Sequence, residues 1–266
     1  MTLRVRHAFR RMRAEGRCGL LAYVTCGDPD VETTIRVVEA LESAGTDAIE
    51  LGIPFSDPIA DGPVIQAAGQ RALRGGTTIK DVFTIARRVR ERSEIPLIAF
   101  SYTNPVLRYD PIRFAIDAHD AGIDSLLLTD LPAERAGELK SMRMVFLLAP
   151  TSTDARIATV NRASDDFVYY VSTTGVTGAR KELDPALIAR LDEVRAKLTK
   201  PLAVGFGISE HRHYEDLRDH CDAIVVGSAI VRAIAAGDPE GAPERAANVV
   251  RNILGPPAFS QPDRRL

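Results

Sequence analysis

The sequence predicts an α/β fold: a single (β/α)8 barrel of the TIM type, with an extra N-terminal helix and an extra helix in the second strand-to-helix connection. Three observations predict it. Short apolar, β-branched runs alternate with longer amphipathic segments along almost the whole chain. These runs are nearly continuous in apolar residues, as strands covered on both faces of a parallel sheet must be. Eight of them alternate with helical patterns, which suits a closed barrel better than an open doubly wound sheet, the alternative architecture. The 266 residues fit one domain over 1–266, because α/β barrels reach about 250 residues as one unit.

In order, the chain opens with a segment that places Val5, Phe9 and Met12 on one helical face and Arg4, Arg6, Arg10, Arg11 and Arg13 mostly elsewhere. It reads as a helix packed on the barrel with a solvated basic face; a grip on a polynucleotide is the alternative. The first strand is expected at Leu20–Thr25. Val31 to Ala44 then carries Ile35, Val38 and Leu41 at helical spacing, opened by Pro29 and Asp30 and ended by Gly45. After a second strand at Asp47–Leu51 comes a long connection with helices around Val64–Leu73 and Ile79–Val89. Strands follow at Pro96–Ser101, Ser125–Leu128, Val145–Leu148 and Phe167–Ser172. The sixth connection is again long and precedes a helix from Pro185, where Leu187, Ile188 and Leu191 share a face. Strands at Leu202–Phe206 and Ala223–Val226 complete the series, and a helix Ala229–Ala236 follows. Long loops, here 52–63 and 173–183, are usually functional or mobile. The tail 255–266, with Pro256, Pro257 and Pro262, reads as frayed.

Composition narrows the function. The chain has 34 basic and 36 acidic side chains, for a net charge of −2, which argues against a general nucleic-acid or membrane-surface binder. No apolar run approaches the roughly 20 residues of a membrane span, and no apolar stretch of a signal peptide follows the first arginines. Cys18, Cys26 and Cys221 are odd in number and without close pairing, which fits a reducing cytoplasm and no disulfide framework. A cytoplasmic location is expected.

The most informative stretch runs from Glu50 to Pro63. Glu50 ends an apolar strand on the same face as Ala48, so in a barrel it projects inward at the C-terminal mouth, where barrel active sites lie. Loss of water there should raise its pKa and let it carry a proton near neutrality. An internal ion pair, or a carboxylate satisfied by backbone amides, is the alternative. Asp61 lies past two prolines on a loop able to bend back over the mouth, and two carboxylates in different environments can divide acid and base roles. Asp57 and Asp61 stand equally in Asp-Pro and Asp-Gly turn contexts. Farther on, Gly205-Phe206-Gly207 follows the seventh strand and Gly227-Ser228 the eighth. Barrels bind phosphate with these two loops, because small residues admit backbone amides and a helix dipole favours an anion. Ser228 is equally a plain helix N-cap, and Gly178 can close the site from the sixth loop.

Other chemistries lack their residues. Lys80, Lys140, Lys181, Lys197 and Lys200 are the only lysines, and none sits on a strand facing the mouth, so a Schiff base is not expected. His211, His213, His220 and Cys221 fall in and after the seventh helix of the repeat, away from the mouth, and no metal is expected. Proton transfer by carboxylates on a phosphorylated small molecule is what remains.

Glu50–Gln66 resembles the signature of the tryptophan synthase alpha chain family. So do Thr25-Cys26-Gly27-Asp28-Pro29, Thr129-Asp130-Leu131-Pro132, Ala149-Pro150-Thr151, Ser172-Thr173-Thr174-Gly175-Val176-Thr177-Gly178, Gly205-Phe206-Gly207-Ile208-Ser209 and Val226-Gly227-Ser228-Ala229. These motifs occur in family order over nearly the whole chain. The resemblance implies a lyase that cleaves indole-3-glycerol phosphate to indole and glyceraldehyde 3-phosphate in tryptophan biosynthesis, with no cofactor of its own. It also implies a partner, a beta chain carrying pyridoxal phosphate, in an α2β2 heterotetramer. Carried over by position, Glu50 is the general acid and base and Asp61 holds the indole N–H. Thr177 holds Asp61, Tyr169 packs near Glu50, and Gly178, Gly207, Gly227 and Ser228 hold the phosphate. Tyr23 and Phe100 touch the indole. Thr173 stands where some members have Arg.

The rivals are another phosphate-binding barrel enzyme, a stand-alone lyase, and a barrel acting mainly as a binding subunit. The loop Pro54-Phe55-Ser56-Asp57-Pro58 is stiffened by its prolines and carries exposed groups that neither catalytic role requires, so Pro54, Asp57 and Pro58 are the expected partner contacts. The alternative is a loop shaped only by its prolines, with Phe55 folded inward.

Overall fold

The computed structural model describes residues 3–139, 141–171, 185–205 and 207–256. Eight parallel strands close into a barrel in sequence order, β1 (Gly19–Thr25), β2 (Ala48–Gly52), β3 (Leu97–Ser101), β4 (Ser125–Leu128), β5 (Met144–Leu148), β6 (Val168–Val171), β7 (Leu202–Gly205) and β8 (Ala223–Val226). The open doubly wound alternative is excluded. The expected strands lie within a residue or two of these bounds; Ser172 and Phe206 fall outside the described residues. Helices are α1 (Arg4–Ala14), α2 (Val31–Ser43), α3 (Pro63–Arg74), α4 (Ile79–Arg90), α5 (Thr103–Tyr109), α6 (Pro111–Asp120), α7 (Asp154–Ala163), α8 (Pro185–Lys197), α9 (His211–Leu217), α10 (Ser228–Ile234) and α11 (Ala242–Leu254). The extra helix of the second connection is α3. A further extra helix, α5, follows β3, the eighth connection is split into α10 and α11, and Ala133–Leu139 is a 3-10 helix.

Alternation along the strands builds two cores. Leu20, Ala22 and Val24 of β1 face outward into the layer shared with the helices, as do Ile49 and Leu51 of β2. Leu21, Ala48, Ile98, Leu127, Val145, Phe167, Ala203 and Ala223 fill the barrel itself. Helix α1 plugs the bottom of that interior with Val5, Phe9 and Met12, the face read from the sequence. Phe9 meets Phe167 at 5.2 Å between ring centroids.

The bottom rim repeats one device four times. The backbone N–H groups of Asp47, Asp124, Asp165 and Asp222 each donate at 2.8 Å to the carbonyls of Leu20, Leu97, Met144 and Leu202 respectively. Each aspartate carboxylate accepts from the N–H of that same residue, at 3.1, 2.9, 2.8 and 2.8 Å. Every odd strand is thereby clamped to the even strand that follows it. Arginines bind the same rim: Arg11 and Arg17 reach Asp47, Arg4 and Arg90 reach Asp124, and Arg6 and Arg143 reach Asp166. Asp124→Ala would leave the buried Leu97 N–H without its side-chain acceptor and the mostly buried Arg90 charge without its carboxylate, although Arg90 keeps its bonds to the carbonyls of Gly122, Ser93 and Ile95. Breaking a buried pair from one side costs about 3–5 kcal/mol. Urea unfolding should therefore lose about 3 kcal/mol; a loss under 1 kcal/mol would remove the clamp from the stability argument.

Barrel closure also brings Cys18 and Cys221 together, with sulfurs 3.7 Å apart and both buried. The spacing in sequence shows no pair because the two lie at opposite ends of the chain, on either side of the β1–β8 seam. Among the described residues, no helix is long and apolar enough to cross a membrane.

Candidate active site

Glu50 is the third residue of β2, and its side chain points into the barrel, 1% exposed. Its Oε1 has no hydrogen-bond partner among the described residues, and neither an ion pair nor a backbone amide meets its carboxylate there. The structural alternatives for this residue are thus not realised. Burial alone pushes its pKa up to about 8. An unpaired charge in such a place costs far more than a neutral acid, so the group holds its proton near neutrality.

Asp61 reaches the same place from the β2–α3 loop. Tyr102 organises that approach: its hydroxyl accepts from the Ala60 N–H at 2.9 Å and donates to Asp61 Oδ2 at 3.1 Å. Burial raises Asp61 to about 6, against the opposing Tyr102 hydrogen bond. The two carboxylates therefore differ in environment, and Asp61 ionises first. Tyr102 is absent from the residues read in the sequence. Its only signal there is its place one residue past the end of β3.

Both carboxylates line one cavity of about 360 Å³ at the C-terminal mouth. Tyr23 and Phe100 form an aromatic wall, edge to face at 80° with centroids 5.2 Å apart. Tyr169 crosses the interior beside them, and Gly207, Gly227 and Ser228 complete the lining. The aromatic hydroxyls fit only because glycines stand opposite. A Cβ on Gly52 would meet Tyr23 Oη at 2.2 Å, and one on Gly205 would meet Tyr169 Oη at 2.0 Å. Gly205→Ala must displace Tyr169 and is expected to lower turnover about tenfold or more while costing about 1–3 kcal/mol of stability from overpacking. Steady-state kinetics beside a thermal melt checks this; unchanged kinetics would make the close approach dispensable.

Gly207 has φ +55°, a left-handed conformation that glycine adopts without strain. At the eighth strand the sequence reading needs correction by one residue. Gly227 is the N-cap of α10 and Ser228 its first helical residue, and the cap makes no side-chain hydrogen bond. Ser228 is therefore not a plain N-cap, and its hydroxyl lines the cavity. Thr177 and Gly178 lie outside the described residues. The histidines disperse: His211 Nδ1 lies 2.8 Å from the Ile253 carbonyl, His220 Nδ1 lies 2.7 Å from Asp192, and His213 is buried.

The family model for the tryptophan synthase alpha chain matches residues 9–254. The chain belongs to the tryptophan synthase alpha chain family. A tryptophan synthase alpha chain of Solibacter usitatus is 51% identical over 237 residues, covering 87% of this chain and 89% of that protein. The alpha chain of Citrifermentans bemidjiense is 47% identical over 235 residues, covering 86% and 88%. Among solved structures, a chain from the tryptophan synthase α2β2 complex of the hyperthermophile Pyrococcus furiosus superposes with a TM-score of 0.83 at 37% identity, covering 89% of this chain and 97% of that one. The tryptophan synthase alpha chain family performs the alpha reaction of tryptophan biosynthesis, and its members are lyases. In this member of the family the structure brings Glu50, Asp61, Tyr23, Phe100, Tyr169, Gly207, Gly227 and Ser228 to one cavity. Pro54, Asp57 and Pro58 lie on its rim loop instead. There Phe55 leans on Tyr102 with centroids 5.3 Å apart, while Ile59 is 82% exposed and Asp57 is exposed.

Proposed function

We propose that Glu50 and Asp61 carry the alpha reaction in this chain, the retro-aldol cleavage of indole-3-glycerol phosphate to indole and glyceraldehyde 3-phosphate. The observation that carries this reading is the buried, unpartnered carboxylate of Glu50, facing a cavity it shares with a second carboxylate of lower pKa. Protonated Glu50 gives its proton to the indole carbon that bears the glycerol phosphate. Ionised Asp61 accepts the indole N–H and balances the positive charge that develops on the ring. Glu50, now a carboxylate, takes the proton of the adjacent side-chain hydroxyl as the carbon–carbon bond breaks. The aldehyde and indole leave, and Glu50 is again protonated. Tyr23 and Phe100 flank the indole, and the backbone around Gly207 and Gly227, with the Ser228 hydroxyl, receives the phosphate. Thr177 and Gly178 complete the site in this reading, the first by holding Asp61 and the second by closing on the phosphate.

The same reading places a pyridoxal-phosphate beta chain over the mouth, in an α2β2 assembly in the cytoplasm, with no cofactor in this chain. A stiff loop presenting Asp57 and Ile59 between the two carboxylates suits that contact, because docking there fixes both acids at once. The deciding assay is indole release from indole-3-glycerol phosphate by the purified chain, alone and with a beta chain. No release under either condition defeats the reading. Asp57→Ala is expected to keep basal release within a few-fold and to weaken stimulation by about tenfold, as truncation of an interfacial charge does. Unchanged stimulation and unchanged beta-chain affinity would leave Asp57 with a turn-forming role only.

A further inference from the structure

A second cavity, of about 450 Å³, opens at the opposite end of the barrel, between α1 and the residues that precede β7. Five cationic side chains line it: Arg6, Arg10, Arg13, Arg195 and Lys200. Its carboxylates are already engaged. Asp166 accepts from Ser125 Oγ at 2.6 Å and is gripped by Arg143. Asp165 Oδ2 accepts from the Met144 N–H, and Asp222 accepts from the Leu202 N–H while Arg195 lies at 3.4 Å.

The rim of the barrel makes the imbalance visible. Arg11, Arg4 and Arg6 of α1 reach Asp47, Asp124 and Asp166 in three quadrants. In the fourth, under β7 and β8, α1 offers no arginine to Asp222. Arg10 and Arg13 face this cavity instead, and among the described residues neither guanidinium has a hydrogen-bond or ion-pair partner. They sit three residues apart, so they project from one side of the helix. From the opposite wall, Lys200 Nζ donates to the backbone carbonyl of Asp165 at 3.2 Å. Two guanidinium forks, both on exposed residues, and a half-buried ammonium, with no carboxylate of their own, thus line one cavity that is open on one side.

We propose that this cavity is a binding site for a small phosphate-bearing dianion, separate from the mouth. Guanidinium forks match a phosphate's oxygens in pairs, and the lysine adds a point charge from the other side. A solvated basic face would need no cavity and would not discriminate a divalent from a monovalent anion. The site is independent of the chemistry assigned to the mouth.

The test is calorimetric titration of the full chain with inorganic phosphate and, separately, with ribose 5-phosphate, at ionic strength matched with chloride. The Ser228→Asp variant repels phosphate at the mouth and isolates the lower site. That variant is expected to retain one saturable phosphate site. Adding Arg10→Glu and Arg13→Glu should weaken it by at least about tenfold, with an unchanged thermal melt. Arg10→Lys with Arg13→Lys should fall between. Tighter binding of ribose 5-phosphate than of inorganic phosphate would assign a sugar phosphate, and equal affinity would assign the free ion. Indole release should be unaffected by the arginine substitutions. Loss of all saturable binding in the Ser228→Asp variant alone, or binding indifferent to Arg10 and Arg13, overturns the proposal and leaves the mouth's assignment standing.

Discussion

Glu50→Gln is expected to abolish indole release while leaving the fold intact. Glutamine keeps the volume and polarity of the side chain but cannot shuttle a proton, and general acid–base catalysis is worth about 10²–10⁴ in rate. Because the same group gives one proton and takes another, the loss should lie at the upper end of that range. The native chain should show a bell-shaped kcat/KM. It rises near pH 6 as Asp61 ionises and falls near pH 8 as Glu50 loses its proton. Stability carries a second signature. Glu50 holds its proton more tightly folded than unfolded, since its pKa is raised from 4.5 to about 8. Its contribution is therefore fully present below about 4.5 and is lost as pH rises through about 8. Glu50→Gln should flatten that loss, so the variant melts no lower than the native chain at pH 9. Near-normal turnover in the folded variant would sink the assignment of Glu50.

Asp61→Asn should be nearly as damaging, but in a different parameter. Asparagine can still accept the indole N–H through its carbonyl, yet it cannot balance positive charge arising on the ring. The lost interaction belongs to the transition state, so kcat should fall by about 10²-fold or more with little change in substrate affinity. The acid limb of the pH profile should vanish while the alkaline limb near pH 8 survives, because only the former titrates Asp61. Tyr102 would still donate to the asparagine carbonyl, which keeps the loop in place and makes the comparison clean. An asparagine variant that binds substrate far more weakly yet turns over normally would contradict the role.

The strands were legible because both of their faces are buried, which writes an unbroken apolar run into the sequence. Glu50 stood out for the same reason, as one acid inside such a run. Asp61 could be suspected from its distance along a proline-stiffened loop, but its partner Tyr102 comes from the next connection and leaves no local mark. The rim aspartates Asp47, Asp124, Asp165 and Asp222 leave no local mark in the sequence, since their reciprocal hydrogen bonds join segments about twenty or more residues apart. Helix α5 was missed because seven residues hold less than two full repeats of a helical pattern, whereas the equally short α10 was read at Ala229–Ala236, close to its bounds. The Cys18–Cys221 contact spans nearly the whole chain and is invisible to spacing.

The fourfold clamp on the bottom rim also bears on how this barrel assembles. Each clamp joins residues separated by 27, 27, 21 and 20 positions, in order along the chain. The β1–β8 seam, by contrast, joins Gly19 to Asp222. Loop-closure entropy favours the near pairs, so each odd–even strand pair can condense before the ring is complete, and the seam is the costly last step. The chain is in effect four short strand–crossover–strand modules on one string, each a parallel pair. A circular permutant opened between β2 and β3 or between β6 and β7 keeps every module whole, whereas one opened between β3 and β4 cuts a module in two and should refold more slowly.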